Sequence, residues 1–219
     1  MKRLYLVRHG QTEFNVARLV QGRCDSPLTE LGVVQAHAAG AWLREHGVAA
    51  DAMVSSPLGR AMATARILAD ELGFVGEVEP EERIIERSYG WFEKGPFTEL
   101  PGDVWDPGES LVPYGGEGNQ ELSSRMNEGL GALMERDGLQ TAVAVSHGSA
   151  SRRFITMNLP EGVEGPKKLP NCGIFTFDFD EGAGAFLLVS ITDPMKASWH
   201  SLASDDYGYA RLRGNLSRR

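Results

Sequence analysis

The sequence predicts an α/β protein of three layers, in which helices cover both faces of a mostly parallel sheet. Short apolar strands alternate with helical periodicity over the first 150 or so positions, beginning with a strand at residues 4–7. Two of these strands run directly into polar residues, RHG at 8–10 and SHG at 146–148. Open α/β sheets carry their ligand sites at the carboxyl ends of their strands, so both segments are candidates for one site.

Two helices and a strand follow the first strand. Thr29 can cap a helix that runs to about His46, with apolar residues three and four positions apart. We expect the core face of this helix to consist of Leu31, Val34, Ala38, Ala41 and Trp42. Residues 52–55 form a short strand candidate, after which Pro57 opens a second helix that ends at Gly73. This order of strand and helix favours parallel strands.

The second half of the chain begins with a segment in which apolar residues do not recur at the spacing of a helix or a strand. Residues 90–118 are rich in Gly, Pro, Trp and acidic residues, and we expect them to form a cap over the sheet that determines specificity. Helices are predicted at about 119–136 and 149–157, on either side of the strand that ends at residue 146. Residues 173–179 and 185–192 are predicted to form two antiparallel edge strands.

Length and composition indicate one acidic domain over residues 1–219. Thirty acidic residues against 22 basic ones give a net charge of −8, which argues against nucleic acid or an anionic membrane as a partner. Cys24 and Cys172 have no neighbours at metal-ligand spacing, so free thiols in a reducing cytoplasm are expected. The first apolar run is too short for a signal peptide, and no run approaches the ~18 residues of a membrane span. A homo-oligomer stays possible.

The strongest functional signal is LYLVRHGQTEFN at residues 4–15. The planar guanidinium of Arg8 presents several N–H donors in a geometry that matches a phosphate. His9 has a neutral ring nitrogen near physiological pH, and Gly10 lets a bound anion approach the backbone closely. Asn15 adds a short polar side chain. This order resembles the signature of the histidine phosphatase superfamily, which holds the cofactor-dependent phosphoglycerate mutases and many phosphomonoesterases. The resemblance implies a phosphoglycerate mutase-like fold and a nucleophilic His9 that is transiently phosphorylated.

The segment VSHGSASR at residues 145–152 is similar to the second-histidine motif of this superfamily. A histidine after a strand is more often capped or solvated than catalytic. Together with the opening motif, however, a catalytic role becomes the better interpretation of His147. The resemblance implies that His147 hydrogen-bonds the transferring phosphoryl group, with Gly148 beside it.

The segment SSPLGRA at residues 55–61 is similar to the part of the family that carries a second phosphate-clamping arginine, here Arg60. This arginine lies at the start of a predicted helix, whose dipole also favours anions. We expect two arginines, Arg8 and Arg60, and a protonated His147 to hold a phosphate dianion while His9 attacks phosphorus in line.

Two further segments resemble the family. In IERSYG at residues 85–90, Glu86 matches the general acid that protonates the leaving alkoxide and then activates water. Without the resemblance, a solvated side chain at the end of an acidic run would be the better interpretation of Glu86. Residues 21–29 look like the loop after the nucleophile motif, in which Gln21 and Gly22 contact the phosphate.

These resemblances imply a phosphomonoester hydrolase, a histidine-type acid phosphatase that acts on a small phosphorylated metabolite through phospho-His9. No metal or cofactor is expected. The alternative is a phosphoglycerate mutase-type phosphotransferase, in which Arg87, Tyr89 and Lys94 are possible substrate ligands. We prefer hydrolysis because a short cap admits water. An alternative of another class is a catalytically inactive module that binds phosphorylated ligands.

Overall fold

A mixed sheet of seven strands forms the middle layer of the computed structural model, which describes residues 1–103, 106–159, 163, 165–166, 168–196 and 198–201. The strands are β1 (Lys2–Arg8), β2 (Ala52–Ser55), β3 (Glu79–Pro80), β4 (Thr141–Ser146), β5 (Ile174–Asp180), β6 (Ala185–Asp193) and β7 (Ser198–Ser201). Their order across the sheet is β3-β2-β4-β1-β5-β6-β7. The first four in this order are parallel, and β5, β6 and β7 are added antiparallel.

The helices lie on both faces of this sheet. They are α1 (Glu13–Ala17), α2 (Glu30–Glu45), α3 (Gly59–Leu72), α4 (Asn119–Met134) and α5 (Gly148–Met157). Val143 and Val145 of β4 share one apolar core with α2 and α3, whereas Ala142 and Ala144 share the other with α4 and α5. Alternate residues of a central strand are therefore buried on opposite faces, and the predicted three-layer α/β fold is confirmed. No helix in the described ranges is both long and apolar enough to cross a lipid bilayer.

The strands at 52–55 and 141–146 lie where the sequence predicts them, but the prediction of two edge strands is wrong. β5 pairs with β1 on one side and β6 on the other, and β6 pairs in turn with β7. The alternation of Phe175, Phe177 and Phe179, all fully buried, marks β5 as an internal strand. β7 lies in the polar tail, where the sequence shows no strand pattern.

The core face of α2 also differs from the predicted one. Leu31 and Val34 are 44% and 54% exposed. The buried residues of this helix are Gly32, Ala36, Ala39, Gly40 and Leu43. Small side chains on this face let α2 approach its neighbours closely, and a Cβ at Gly32 would lie only 2.1 Å from the carbonyl oxygen of Gln11. The helix therefore packs directly against the backbone that follows β1.

This close approach gives a stability prediction. Gly32→Ala improves helix propensity but places a methyl group against backbone that cannot move away, so we expect a loss of about 2 kcal/mol in the free energy of unfolding. Gly131 in α4 is the matched control, because its Cβ position meets no atom within 4 Å. Gly131→Ala should gain about 0.5–1 kcal/mol. Urea unfolding followed by circular dichroism measures both changes, and equal effects would contradict the packing argument.

Residues 90–118 contain only short 3-10 turns among the positions described. These turns are Gly90–Phe92, Phe97–Glu99 and Val112–Tyr114. A small apolar cluster of Val20, Tyr89, Leu100 and Leu111 anchors the segment. The backbone N–H of Val20 donates to Gly95 O (2.9 Å), and that of Lys94 donates to Val20 O (2.8 Å). The segment thus lies against the loop that follows α1.

Candidate active site

Parallel pairing of β1 and β4 brings the two histidines together. Arg8 is in register with Ser146, so His9 and His147 leave the sheet at the same edge. The backbone N–H of His9 donates to Ser146 O (2.9 Å), and the ring centroids of the two histidines are 5.1 Å apart. Both side chains are buried, with 3% and 0% of their surface exposed.

The hydrogen bonds of His9 define its protonation state. Its Nδ1 is 2.7 Å from the carbonyl oxygen of Gly10, which can only accept, so Nδ1 carries the hydrogen. The Nε2 atom accepts from Arg60 Nε (3.3 Å). Burial, and then the charges of Arg60 and Arg8, hold the pKa of His9 well below its usual value. His9 is therefore neutral at pH 7, with the lone pair of Nε2 on the side where Arg60 lies.

Arg60 is held by the loop at residues 21–25. Its Nη2 donates to Gly22 O (2.8 Å), and its Nη1 donates to Cys24 O (2.7 Å) and to Asp25 Oδ1 (3.2 Å). The same Asp25 carboxylate accepts the backbone N–H groups of Gly59 (2.6 Å) and Arg60 (3.3 Å). The start of α3 is thus capped by an aspartate from a distant loop. The backbone N–H groups of Gly59 and Arg60 are therefore already paired within the protein, although the helix dipole at this end favours anions.

Glu93 holds the same loop from the other side. Its carboxylate accepts the backbone N–H groups of Arg23 (3.1 Å), Cys24 (3.2 Å) and Tyr89 (3.1 Å). Gly22 has φ +53°, and a Cβ there would lie 2.3 Å from Glu93 Oε1, so both conformation and space require glycine. No sequence pattern distinguishes Glu93 from the other acidic residues in 90–118.

Arg8 lies beside Gly148 at the start of α5. Its Nη1 donates to Leu169 O (2.5 Å), whereas its Nε is buried and has no partner in the protein. A Cβ at Gly148 would lie 3.2 Å from this Nε, so glycine leaves room for the guanidinium. Burial lowers the pKa of Arg8, and the charge of Glu86 opposes that shift. A desolvated guanidinium with an unused N–H is a donor for an anion.

His147 differs from the sequence expectation in its charge. Burial, followed by the charges of Arg60 and His9, lowers its pKa well below the usual value, so the ring is neutral rather than protonated. Its Nε2 is 2.7 Å from Ser56 Oγ, which accepts from the backbone N–H of Leu58 (3.4 Å) and can donate its own hydrogen to the imidazole. The Nδ1 atom is buried without a partner. In that tautomer Nδ1–H is a neutral donor.

Glu86 is fixed by backbone amides. Its Oε1 accepts the N–H groups of Arg87 (2.8 Å) and Ala150 (2.9 Å), and its Oε2 accepts that of Ser149 (3.1 Å). Two of these donors belong to the first turn of α5. Arg125 holds the chain behind Glu86 by donating to its carbonyl oxygen (3.1 Å). The side chain of Glu86 therefore has one well-defined orientation. Arg125, which supports it, is a residue that sequence reasoning did not identify.

Two amide side chains complete the polar lining. Gln21 Nε2 donates to Thr12 Oγ1 (2.5 Å), and its Oε1 is buried without a partner. Asn15 Oδ1 accepts from Thr12 N (3.2 Å) and Asn171 Nδ2 (3.3 Å). These bonds use the acceptor of Asn15, so its NH2 group is the part that can donate to a ligand.

These elements enclose a cavity of about 90 Å³. Nine of the predicted site residues line it: Arg8, His9, Asn15, Gln21, Gly22, Arg60, Glu86, Tyr89 and Gly148. His147 is not a lining residue, but its ring contacts that of His9 edge to face. Burial raises the pKa of Tyr89 to about 12, so its hydroxyl is neutral. The predicted residues therefore bring a neutral imidazole, two guanidinium groups and one carboxyl group to the cavity.

Two predicted substrate ligands do not reach this cavity. Arg87 is 1% exposed, and its guanidinium donates to Ser149 Oγ (3.0 Å), Glu117 O (3.0 Å) and Asn119 Oδ1 (2.5 Å). Its role is to connect residues 86–90 with α4 and α5. Lys94 is exposed, in a left-handed conformation with φ +71°. Neither of these two possible substrate ligands lines the cavity.

The structure adds lining residues that sequence reasoning missed. Four are apolar: Leu19, Val20, Phe97 and Leu169. One is a cation, Arg152 on α5. Its only sequence signal is the helical spacing of four residues from Gly148. Across the described part of the chain, no group of three or more His, Cys, Asp or Glu side chains is placed to hold a metal ion.

A three-layer α/β protein with paired histidines and arginines at one sheet edge belongs to the class that binds phosphate esters there. The histidine phosphatase superfamily (branch 1) matches residues 4–192, and the chain belongs to this superfamily. The chain is 35% identical over 191 residues to the probable phosphoglycerate mutase GpmB of Yersinia pestis (strain Pestoides F). The aligned region covers 83% of this chain and 86% of that relative.

Solved structures show the same fold. Bacillus stearothermophilus YhfR superposes with a TM-score of 0.73 at 27% identity, covering 86% of this chain and 95% of that protein. A phosphoserine phosphatase from Entamoeba histolytica gives a TM-score of 0.69 at 29% identity, covering 89% and 98%. The relatives of this chain therefore include proteins named as phosphatases and as mutases.

Proposed function

We propose that this protein is a phosphomonoester hydrolase that acts through a phosphohistidine at His9. The observation that carries the proposal is the neutral, buried His9, whose Nδ1–H is held by Gly10 O and whose Nε2 lies beside Arg60 Nε. A fixed tautomer with its lone pair next to a cation is what in-line attack on a phosphate dianion needs. The substrate is a small phosphorylated metabolite.

The reaction has two steps. In the first, which starts with Glu86 protonated, His9 Nε2 bonds to phosphorus, the ester P–O bond breaks, and Glu86 gives its proton to the leaving alkoxide. In the second, the water oxygen attacks phosphorus while Glu86 takes a proton from the water, the P–N bond to His9 breaks, and inorganic phosphate leaves with His9 and protonated Glu86 restored. Arg60 Nε, which donates to His9 Nε2 in the free site, transfers its hydrogen bond to a phosphoryl oxygen.

Two buried donors without protein partners support the phosphate clamp. Arg8 Nε and His147 Nδ1 are both desolvated and unused. A phosphoryl oxygen at Arg8 Nε recovers the hydrogen bond that burial has removed, and we propose the same for His147 Nδ1, whose ring is next to the lining residue His9. We also propose that Asn15, Gln21, Gly22 and Gly148 contact the phosphate, since all four line the cavity.

The properties of residues 90–118 favour hydrolysis over mutase chemistry. We propose that this segment is a cap on a single domain, and Lys94, its one basic residue, is exposed rather than turned to the cavity. A mutase must shield phospho-His9 from water and grip the substrate. Three lining residues, Asn15, Leu19 and Phe97, are only half-buried, so water can reach the cavity.

The free thiols Cys24 and Cys172 suit a reducing compartment, and we propose that the protein is located in the cytoplasm.

Mutase chemistry is the second candidate, favoured by the name of the relative that is 35% identical. With 3-phosphoglycerate and catalytic 2,3-bisphosphoglycerate, we expect little 2-phosphoglycerate, while release of inorganic phosphate from some monoester dominates. Coupled enolase and phosphate assays measure the two rates. Isomer formation about a hundredfold faster than phosphate release, a barrier difference of roughly 2.7 kcal/mol, would establish the mutase instead. Ligand binding with no turnover of a broad ester panel would favour the binding module.

A further inference from the structure

We propose that the cavity takes phosphate esters whose leaving group is an uncharged hydrocarbon, and that Leu19 and Phe97 recognise this group. The inference rests on the proposed function, because it concerns the leaving side of the same cavity. Four of the lining residues are apolar: Leu19, Val20, Phe97 and Leu169. Leu19 and Phe97 thus select among phosphate esters and take no part in the transfer itself.

The exposure of the lining residues gives the direction in which the leaving group points. His9 and Arg60 are only 3% and 1% exposed, whereas Leu19 and Phe97 are half-buried. His9 therefore lies at the closed end of the cavity, and Leu19 and Phe97 border its opening. Attack in line places the leaving oxygen on the side of phosphorus opposite to His9 Nε2. The rest of the leaving group consequently extends toward Leu19 and Phe97.

The apolar opening is already formed in the free protein. Leu19 makes an isolated antiparallel bridge with Pro96, and the backbone N–H of Phe97 donates to Arg18 O (3.3 Å). Phe97 also packs against the apolar cluster that anchors residues 90–118. A hydrocarbon that binds here therefore meets side chains that need little ordering, which favours affinity.

Two polar residues that line the cavity are paired within the protein. Arg152 Nη1 forms an ion pair with Asp106 Oδ2 (3.1 Å), and Arg152 Nε donates to Pro166 O (3.2 Å). Ser149 Oγ accepts from Arg87 Nε (3.0 Å). A carboxylate on the leaving group would have to compete with Asp106 for the guanidinium of Arg152.

The chemistry of the opening favours hydrocarbon over a second charge. A carboxylate next to Leu19 and Phe97 would lose water there without gaining a hydrogen bond, which costs free energy. A hydrocarbon covers the half-buried surface of both side chains and is itself removed from water, which is favourable. We therefore expect kcat/KM to rise with each methylene group that contacts Leu19 and Phe97.

Ethyl, butyl and hexyl phosphate test the inference, because their leaving alcohols have similar acidity and differ mainly in the length of the hydrocarbon. We expect kcat/KM to rise about tenfold or more from ethyl to hexyl phosphate. We also expect 3-phosphooxypropionate to be about tenfold poorer, or worse, than 3-methylbutyl phosphate, which has a similar shape without the carboxylate charge. No rise along the series, or an equal or higher kcat/KM for the carboxylate, would overturn the inference.

Variants at the opening assign the selection to particular side chains. Leu19→Ser and Phe97→Ser should each lower kcat/KM for hexyl phosphate about tenfold or more, and for ethyl phosphate by a much smaller factor. Phe92→Ser is the matched control, since Phe92 is half-buried and packs against the same apolar cluster as Phe97 but does not line the cavity. It should change both esters by the same factor. If Leu19→Ser and Phe97→Ser also change both esters equally, the opening does not select the leaving group.

Failure of the inference differs from failure of the proposed function. Phosphate release with the same kcat/KM from every alkyl ester overturns the inference and leaves the hydrolase in place. If the unmodified protein hydrolyses no ester, the proposed function fails, and calorimetric binding of ethyl-, butyl- and hexylphosphonate decides the inference. Affinity that rises along this series, and rises less in Leu19→Ser, supports it, whereas equal affinity for all three overturns it.

Discussion

His9→Ala is expected to lower kcat/KM for p-nitrophenyl phosphate in excess EDTA by about 10⁴-fold or more, because it removes the atom that bonds to phosphorus. The unmodified protein should keep its full activity in EDTA. His37→Ala is the control, since His37 is an exposed histidine on α2 that pairs with Glu71. Its activity should be unchanged. Loss of activity on chelation, or full activity in His9→Ala, would refute the mechanism.

The covalent intermediate provides a direct test of the same assignment. Acid lability and base stability are properties of a phosphoramidate bond, so denaturing quench during turnover should trap phosphate with that behaviour. Peptide mapping should find it on His9. A phosphate on His147, or an acid-stable phosphoester, would reverse the roles that we assign to the two histidines.

Glu86→Gln is expected to slow the hydrolysis of alkyl phosphates by about 10²–10⁴-fold, because an alkoxide needs a proton to leave. The loss should be much smaller for p-nitrophenyl phosphate, whose leaving group is stable as an anion. Single-turnover kinetics with both esters measure the difference. Glu82→Gln is the control, because Glu82 is an exposed acid four residues away. Equal slowing of both esters would count against Glu86 as the general acid.

Much of the fold could be predicted because its elements have local signals. Gly73 ends α3 in a left-handed conformation, and Thr29 caps α2, as their positions in the sequence predict. The meeting of His9 and His147 could be predicted too, since parallel strands present their carboxyl ends at one edge. Each of these inferences needs only a residue type and its place in an element.

The remaining features depend on contacts between distant parts of the chain. The capping of α3 by Asp25 and the support of the loop by Glu93 have no local pattern that would distinguish these acids from solvated ones. Arg87 was a possible substrate ligand because residues 86–90 resemble the mutase pattern, but its guanidinium donates to Glu117 O and Asn119 Oδ1, which no local pattern indicates. The face of α2 was misjudged because glycine and alanine form its core contact while larger apolar residues are exposed.

The buried cations of the cavity link its occupancy to the stability of the whole protein. Arg60 is 1% exposed, the Nε of Arg8 has no partner, and two histidines are held neutral beside them. Folding removes these charges from water, so the site lowers the free energy of unfolding that the apolar cores supply. An anion that binds only the folded chain offsets this cost by mass action. We therefore expect phosphate, the product of the reaction that we propose, to stabilise this fold.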